Sequence, residues 1–286
     1  MPTVVGVANK KRQDGMIKSD ENHFLYGASA LDPKLVSSRY YPMESGIVRD
    51  WQVMEDVLNF GLGALHDSSY NKHFLDRNED IYEYRGSKIL LTEPTLNTTE
   101  NRKKLFECMF ENMKFDAVNL TNQSLLVLYA RGLLSGMVVE CGEGITQVVP
   151  VNEGIVPYHL IKRHGVTGNN ITMYLKKLLQ LQGFNSNFLS DTEILRCIKE
   201  SLCYTSCDLD EDRRLARETT ALVETFSLPD GTVVKVGQER FEASEAFFDP
   251  SLLDMECRGL SDFVFDTIQE SDIDCRVKLY EHIVLS

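Results

Sequence analysis

The sequence predicts an α/β fold, because strand-like and helix-like segments alternate along most of the chain. Residues 88–92 form a compact apolar run that ends at Glu93-Pro94, and residues 117–120 form a second run of the same kind. After each run, apolar residues recur at helical spacing. Strand, helix, strand and helix in succession are typical of helices that pack against a sheet.

Length and charge limit the classes of function that need to be considered. The chain has 286 residues, which corresponds to about two domains of ~150 residues each. It carries 30 Lys+Arg against 43 Asp+Glu, a formal net charge of −13, whereas broad binding of nucleic acid requires a basic surface. No apolar run approaches the ~18–20 residues that cross a bilayer. We therefore expect neither nucleic-acid binding nor membrane insertion.

The elements of the first half follow from apolar spacing and turn residues. Short apolar pieces mixed with charge in residues 1–36 indicate a small sheet or a mobile loop. Helical spacing then covers residues 51–62, and the polar stretch 66–87 is interpreted as a surface insertion. Asn97, with Glu100 three residues later, predicts the cap of the next helix.

The second half is predicted in the same way. Residues 136–140 and 145–149 are two apolar runs joined by a short turn, which is typical of a β-hairpin. The clearest hairpin surrounds the Pro-Asp-Gly turn at 229–231, and Ser190 with Glu193 predicts a capping box that opens a helix. Further apolar stripes predict helices around residues 125–129, 171–179, 261–269 and 273–280, before a final strand at 283–285.

The seven cysteines form no recognisable framework. Their odd number and irregular spacing indicate reduced intracellular thiols. Cys203 and Cys207 are close in sequence, but no His or second Cys pair lies nearby to complete a zinc site. No Ser-His-Asp or Cys-His motif supports a nucleophilic enzyme.

The turn Glu140-Cys141-Gly142-Glu143-Gly144 is the most informative local feature. Two glycines would allow the backbone to approach a phosphate closely, with N–H groups pointing at its oxygens, and the carboxylates could hold a Mg²⁺-bound water. The alternative is a plain hairpin turn with Gly at positive φ. The turn lacks the Gly-x-x-x-x-Gly-Lys-Ser/Thr pattern and is therefore not a P-loop.

Lys199 and Glu200 lie outside the apolar stripe of their predicted helix. They could contact a nucleotide, or they could form an exposed pair on a solvated helix face. The residue types alone leave both interpretations open.

A series of short motifs, in order through nearly the whole chain, resembles the actin superfamily. The motifs of the first half are Tyr41-Pro42-Met43-Glu44-Ser45-Gly46-Ile47-Val48, Lys88-Ile89-Leu90-Leu91-Thr92-Glu93-Pro94, Asn101-Arg102, Met109-Phe110-Glu111 and Leu128-Tyr129-Ala130. Those of the second half are Gly142-x-Gly144-x-Thr146, Ile198-Lys199-Glu200-x-Leu202-Cys203-Tyr204, Leu228-Pro229-Asp230-Gly231, Glu239-Arg240-Phe241-Glu242-Ala243 and Val284-Leu285-Ser286. The residues that favour the actin-related protein 2 subfamily over actin itself are Glu218-Thr219-Thr220-x-Leu222-Val223-Glu224, Val234-Lys235-Val236-Gly237, Glu242-Ala243 and His282-Ile283-Val284.

The resemblance implies a two-lobed actin-like fold with four subdomains, in which each lobe is built on an RNase H-like α/β unit. In the first lobe, the resemblance implies a small subdomain 2-like segment over 1–41 and a large subdomain 1-like segment over 42–130, which contains the 66–87 insertion. In the second lobe, it implies a subdomain 3-like part over 131–166 and 256–286 and a subdomain 4-like part over 167–255. Compared with the family, we expect truncation at both ends. The first lobe would then be incomplete, without the first phosphate hairpin and the Gly-Gly loop on the adenosine side.

The resemblance also implies that ATP or ADP with Mg²⁺ lies in the cleft. It assigns to the nucleotide or its metal a set of residues between Gln123 and Glu200. Those implied to act in catalysis are Gln123, which positions the attacking water, and Glu140, which would also hold Mg²⁺ through a water. Those implied to bind the nucleotide are Gly142, Glu143 and Gly144 on the second phosphate loop, Gly168 on the ribose side, and Arg196, Lys199 and Glu200 near the adenine and ribose.

Departures from the family pattern predict weak nucleotide binding. Both carboxylates of the phosphate loop are Asp in the family and are Glu140 and Glu143 here, and the extra methylene groups could shift a bound water by about an ångström. The family's His after this loop is Gln147, and its Arg-Asp pair is replaced by Asn169-Asn170. Because it would retain one of two phosphate-cradling loops and lack part of the adenosine wall, we expect the chain to bind ATP weakly or not at all and to be at most a weak ATPase.

For function, the resemblance implies a subunit of the actin-related protein 2/3 complex that acts in the nucleation of branched actin filaments. It implies a location in the cytoplasm, the cytoskeleton and cell projections. The implied partners are actin-related protein 3, the other subunits, actin filaments and nucleation-promoting factors. Two alternatives stay open: a divergent interaction module with lost or weak nucleotide binding, and a conventional actin-like polymer subunit.

Overall fold

The protein divides into two compact units, Met1–Gln123 and Ser124–Ser286, each of which combines helices with sheets. The computed structural model describes residues 2–8, 24–32, 35–66, 84–184 and 187–286. Most of the predicted 66–87 insertion lies outside these residues. Within the described ranges, no helix combines the length and the apolar character needed to cross a membrane.

The first unit contains a small antiparallel sheet, a parallel strand pair and helices. Its elements are β1 (Val5–Ala8), β2 (Phe24–Tyr26), β3 (Val36–Tyr40), β4 (Met43–Glu44), β5 (Ile47–Val48), α1 (Trp51–His66), β6 (Lys88–Glu93), α2 (Thr99–Glu107) and β7 (Ala117–Asn122). β1 pairs with β2 and β3, so of the two alternatives for the N-terminal residues, a small sheet or a mobile loop, the described strands form the small sheet. β6 and β7 pair in parallel. A π-helix, Cys108–Asn112, continues α2 and buries Met109 beside Leu58 and Leu62 of α1.

The helix cap predicted at Asn97 is wrong by one residue. Thr98 is the N-cap, and its side chain accepts a hydrogen bond from the backbone N–H of Asn101 at 3.2 Å. Asn97 instead donates to Glu93 at 3.0 Å, and Arg102 donates to both oxygens of the same carboxylate. Asn97 therefore joins the end of β6 to α2 rather than capping the helix.

The second unit begins within a helix that crosses the boundary, α3 (Gln123–Ala130). The elements that follow are β8 (Gly136–Cys141), β9 (Thr146–Val151), β10 (Lys162–His164), α4 (Gly168–Leu181), α5 (Thr192–Leu202), α6 (Leu209–Glu218), β11 (Glu224–Ser227), β12 (Val233–Val236), α7 (Glu239–Glu245), α8 (Leu260–Glu270), α9 (Ile273–Glu281) and β13 (Ile283–Leu285). The main sheet has the order β10-β9-β8-β13, and β13 runs parallel to β8. Both predicted hairpins, β8–β9 and β11–β12, are confirmed.

The central strands β8 and β9 are buried on both faces. On one face, Val138 and Val149 pack with Leu128 of α3. On the other, Met137 and Val148 pack with helices α8 and α9. Strands covered on both faces form continuous apolar runs in sequence rather than an alternating pattern, which is why their spacing predicted them clearly.

A separate core joins α4, α5, α7 and the β11–β12 hairpin. Its largest buried side chains include Leu175, Leu179 and Ile198. All its buried members fall between Val166 and Ala246. Packing in this core places the N-terminus of α4 and Lys199 of α5 against the turn between β8 and β9. The candidate site lies at this turn.

Two predictions in this unit differ from the structure. The cap of α5 is Asp191, which accepts from the N–H of Glu193 at 3.0 Å, and not Ser190. The helix α6 was not predicted, because it buries no residue and therefore lacks an apolar stripe. It is stabilised instead by its cap, Asp208, and by acidic residues in its first turn.

The contacts of Glu93 lead to a prediction about pH. Burial alone would raise the pKa of Glu93, but hydrogen bonds from Arg102 and Asn97 lower it below the ordinary value of 4.5. We expect Arg102→Met to reduce the free energy of unfolding by about 1–3 kcal/mol at pH 7. A carboxylate with a lowered folded-state pKa stabilises the fold above its unfolded pKa and loses that contribution as the pH falls through the folded value. Urea unfolding should therefore show the difference between the two proteins shrinking below pH 4.5.

A matched control is Arg214→Met. Arg214 pairs with Glu211 at 2.7 Å on the surface of α6, and a pair this exposed should contribute less than about 1 kcal/mol at any pH. If the deficit of Arg102→Met stays constant or grows in acid, the ion pair with Glu93 is not its cause.

Candidate functional site

The candidate site is built around the turn that joins β8 to β9. The N–H of Gly142 donates to the carbonyl of Ile145 at 2.8 Å and closes the turn. The alternative of a hairpin turn with glycines at positive φ is wrong on this point, since neither Gly142 nor Gly144 has a positive φ. At Gly142 the requirement is space, because a Cβ there would lie 3.1 Å from the carbonyl oxygen of Ile145.

The N-terminus of α4 lies directly against this turn. The N–H of Gly168 donates to the carbonyl of Gly142 at 3.0 Å, and the N–H of Asn169 donates to that of Glu143 at 2.9 Å. A Cβ on Gly168 would lie 3.0 Å from the Glu143 carboxylate, so glycine permits the close approach. The first N–H groups of a helix are often free to bind an anion, but here the turn itself occupies two of them.

Lys199 reaches the same turn from α5. Its ammonium donates to the Glu143 carboxylate at 3.0 Å and to the carbonyl of Gly168 at 2.9 Å. Only 14% of the Lys199 side chain is exposed, so the interpretation as a solvated helix face does not hold for this residue. The structure thus brings together four of the predicted binding residues, namely Gly142, Glu143, Gly168 and Lys199.

Arg196 and Glu200 form a separate network along α5. The Arg196 guanidinium pairs with Glu193 at 2.8 Å and with Glu200 at 3.0 Å. Burial would lower the pKa of Arg196, but the hydrogen bond and charge of Glu193, followed by the charge of Glu200, raise it. No hydrogen bond joins either residue to the turn within the described part of the chain.

Glu140 is buried at the base of the turn, with 7% exposure. It lies opposite Gln147 in the β8–β9 ladder. The Gln147 amide donates to one carboxylate oxygen, and the Ser124 hydroxyl donates to the other at 2.6 Å. Both oxygens of the carboxylate predicted to hold a Mg²⁺-bound water are therefore engaged by neutral donors.

Sequence reasoning gave Gln147 only the role of a lost proton acceptor, and it did not identify Ser124. The hairpin register could have paired Gln147 with Glu140, because residues opposite each other on two strands share a face. No sequence signal pairs Ser124 with Glu140. Gln123, the exposed first residue of α3, is the last residue of the first unit, and its predicted role stays a prediction.

The exposed part of the turn offers donors for an anion. Among the described residues, the N–H groups of Glu143 and Gly144 donate to no protein acceptor, and both residues are exposed. At the end of the turn, the buried hydroxyl of Thr146 likewise has no partner in this part of the chain. Exposed backbone N–H groups on a turn fit a phosphate oxygen. No group of three His, Cys, Asp or Glu residues in the described ranges is arranged to hold a metal.

The family is decided by the match of the whole chain, residues 1–286, to the family model described as Actin. The chain belongs to the actin family. It is similar to Actin-related protein 2 of Drosophila melanogaster, with 46% identity over 246 residues that cover 86% of this chain and 58% of that protein. It is also similar to the proteins of the same name in Saccharomyces cerevisiae and Acanthamoeba castellanii, each 41% identical over all of this chain and 70% of the relative.

These matches confirm the actin-like α/β fold and the resemblance to actin-related protein 2. The chain spans 58% to 70% of the length of these relatives. Membership of the actin family implies nucleotide binding in general, and the free donors of the turn fit the phosphate part of such a ligand.

The buried Glu140 leads to a stability prediction. We expect Gln147→Leu to lower the free energy of unfolding by about 1–3 kcal/mol, because one oxygen of a buried carboxylate loses its donor. The double variant Glu140→Leu/Gln147→Leu should recover part of this loss, since apolar groups then replace both partners. Urea unfolding of the three proteins measures both effects, and a double variant less stable than the single one would argue against the pairing.

Proposed function

We propose that this chain acts as an actin-related protein 2. It would join actin-related protein 3 and the other subunits of the actin-related protein 2/3 complex in nucleating branched actin filaments within the cytoskeleton of the cytoplasm. The observation that carries the proposal is 41–46% identity to three relatives of that name, over 86% to 100% of this chain. The proposed role is structural, with at most weak ATPase activity.

We further propose that ATP or ADP with Mg²⁺ contacts the turn at 142–144, Gly168 and Lys199. The free N–H groups of Glu143 and Gly144 support phosphate contact, and the hydrogen bond from Lys199 to the carbonyl of Gly168 at 2.9 Å supports a place for Lys199 on the ribose and adenine side. Bound Mg²⁺-ATP would supply the β–γ phosphoanhydride bond on which the proposed weak ATPase activity would act. Glu140 at the base of the turn, together with Gln123, Arg196 and Glu200 outside the cluster, completes the proposed set.

A second candidate is an interaction module with weak or lost nucleotide binding. The specific observation in its favour is that Glu143 engages Lys199, while Ser124 and Gln147 engage both oxygens of Glu140. Two groups expected to serve the nucleotide are therefore satisfied by protein partners.

Assembly distinguishes the proposed function from a polymer subunit. An affinity-tagged chain, mixed with the purified remaining subunits, should be recovered together with actin-related protein 3. The chain alone should stay in the supernatant when it is centrifuged at high speed with Mg-ATP, whereas actin treated in parallel pellets. Pelleting of the chain alone would favour a polymer subunit, and failure to recover any other subunit would contradict the assembly role.

Nucleotide affinity tests the proposed site. We expect Mg-ATP to bind more weakly than micromolar, because Glu143, one methylene longer than the family's Asp, engages Lys199 at 3.0 Å. Lys199→Met should weaken binding further, by about tenfold. Lys278→Met is the control, because Lys278 lies on α9 and pairs with Glu153. Calorimetric titration showing micromolar or tighter binding would refute the expected weakness, and equal affinities of wild type and Lys199→Met would refute the site.

A further inference from the structure

We propose that a pocket between α1 and the end of α2 binds an arginine side chain of a partner protein. The pocket has a volume of about 210 Å³, which is room for several water molecules at about 30 Å³ each. Two residues of α1, two of α2 and two of the π-helix that follows line it, namely Trp51, Glu55, Lys104, Glu107, Cys108 and Asn112. This α1–α2 pocket belongs to the first unit, whereas the turn at 142–144 belongs to the second.

Glu55 is a positioned carboxylate in the wall of the α1–α2 pocket. The amide of Asn112 donates to its Oε1 at 2.8 Å and so joins α1 to the π-helix. Burial, followed by the charge of Glu55 and a hydrogen bond to it, raises the pKa of the Cys108 thiol to about 12. The thiol is therefore neutral at pH 7 and adds no charge to the pocket. Short π-helical segments such as the one that carries Asn112 and Cys108 occur frequently at functional sites.

Trp51 provides the aromatic part of the lining. Its side chain is half-buried and packs against the apolar cluster that contains Met109 and Met113. A guanidinium is planar and weakly hydrated, stacks on aromatic rings and matches a carboxylate with its fork of N–H donors. A lysine ammonium is a strongly hydrated point charge. An indole and a positioned carboxylate in one pocket therefore favour arginine over lysine.

The charges of the lining also favour a cation. Glu107 and Lys104 are both exposed, and within the described ranges neither side chain forms an ion pair or a hydrogen bond. The carboxylate of Glu107 is therefore open to a ligand. Two carboxylates against one ammonium give the pocket a formal charge of −1, and the net charge of −13 on the chain attracts cations further. Lys104 opposes a bound cation and limits its affinity.

The test uses N-acetylarginine amide, whose only charged group is the guanidinium. Trp51 is the sole tryptophan among the 286 residues, so the intrinsic tryptophan fluorescence of the full chain reports directly on the pocket. At constant ionic strength, the fluorescence should change saturably with a Kd on the order of 1 mM, which fits one cation–π contact and one charged hydrogen bond. N-acetyllysine amide should bind more weakly, and the uncharged analogue N-acetylcitrulline amide should cause no saturable change.

Variants of the charged lining residues test the sign of the effect. Glu55→Gln keeps an oxygen that accepts from Asn112 but loses the charge, and should weaken binding about tenfold. Glu107→Gln, at an exposed position that does not affect folding, should weaken it about two- to fivefold, and Lys104→Met should tighten it by a similar factor. Glu111→Gln is the matched control, because Glu111 is an exposed residue of the same π-helix outside the pocket. It should bind as wild type does.

Three results would overturn the proposal. The first is the absence of a saturable change with N-acetylarginine amide, and the second is equal binding of the arginine, lysine and citrulline compounds. The third is the reverse pattern of charge effects, in which Lys104→Met weakens binding and Glu107→Gln strengthens it, because that pattern belongs to an anion site. Equal weakening by Glu111→Gln and Glu107→Gln would likewise refute a role of the pocket.

Discussion

The register of the β8–β9 ladder is the constraint on which the site depends. Opposite pairing of Val139 with Val148 and of Glu140 with Gln147 sends alternate residues to two faces of the sheet, one covered by α3 and the other by α8 and α9. A slip of one residue would exchange the faces and place Glu140 among the apolar contacts of α8 and α9. Apolar burial on both faces therefore holds the turn where α4 and Lys199 meet it.

Two glutamates of this turn have opposite electrostatic surroundings. Glu140 is buried, and an ionised group in that position requires hydrogen bonds to offset the loss of water. Ser124 and Gln147 supply them. Glu143 is exposed on one side and contacts a cation on the other. The buried carboxylate is consequently held by two neutral donors, whereas the exposed one is held by the Lys199 ammonium.

The departures from the actin-family pattern are structurally connected. Gln147 stands where the family has His, and Glu140 stands where it has Asp. The two replaced residues form one hydrogen bond, in which Gln147 donates to Glu140. Asn169 contacts the turn through its backbone N–H, which any residue except proline could provide. Asn170 accepts from the N–H of Thr167, the N-cap of α4, at 3.0 Å and completes the capping box of this helix. The altered residues thus support the local fold of the turn and of α4.

The sequence by itself determined the α/β class, the two hairpins, most helices of the second unit and the motifs of the actin family, because these depend on local spacing and on short residue runs. It misplaced the caps at Asn97 and Ser190, where neighbouring residues compete for the same backbone N–H. Only the tertiary structure decided which charged groups meet. Lys199 lies 56 positions from Glu143, and Ser124 lies 16 from Glu140. No local pattern spans such separations, since these contacts exist only because α3 and α5 bring their side chains to the same hairpin.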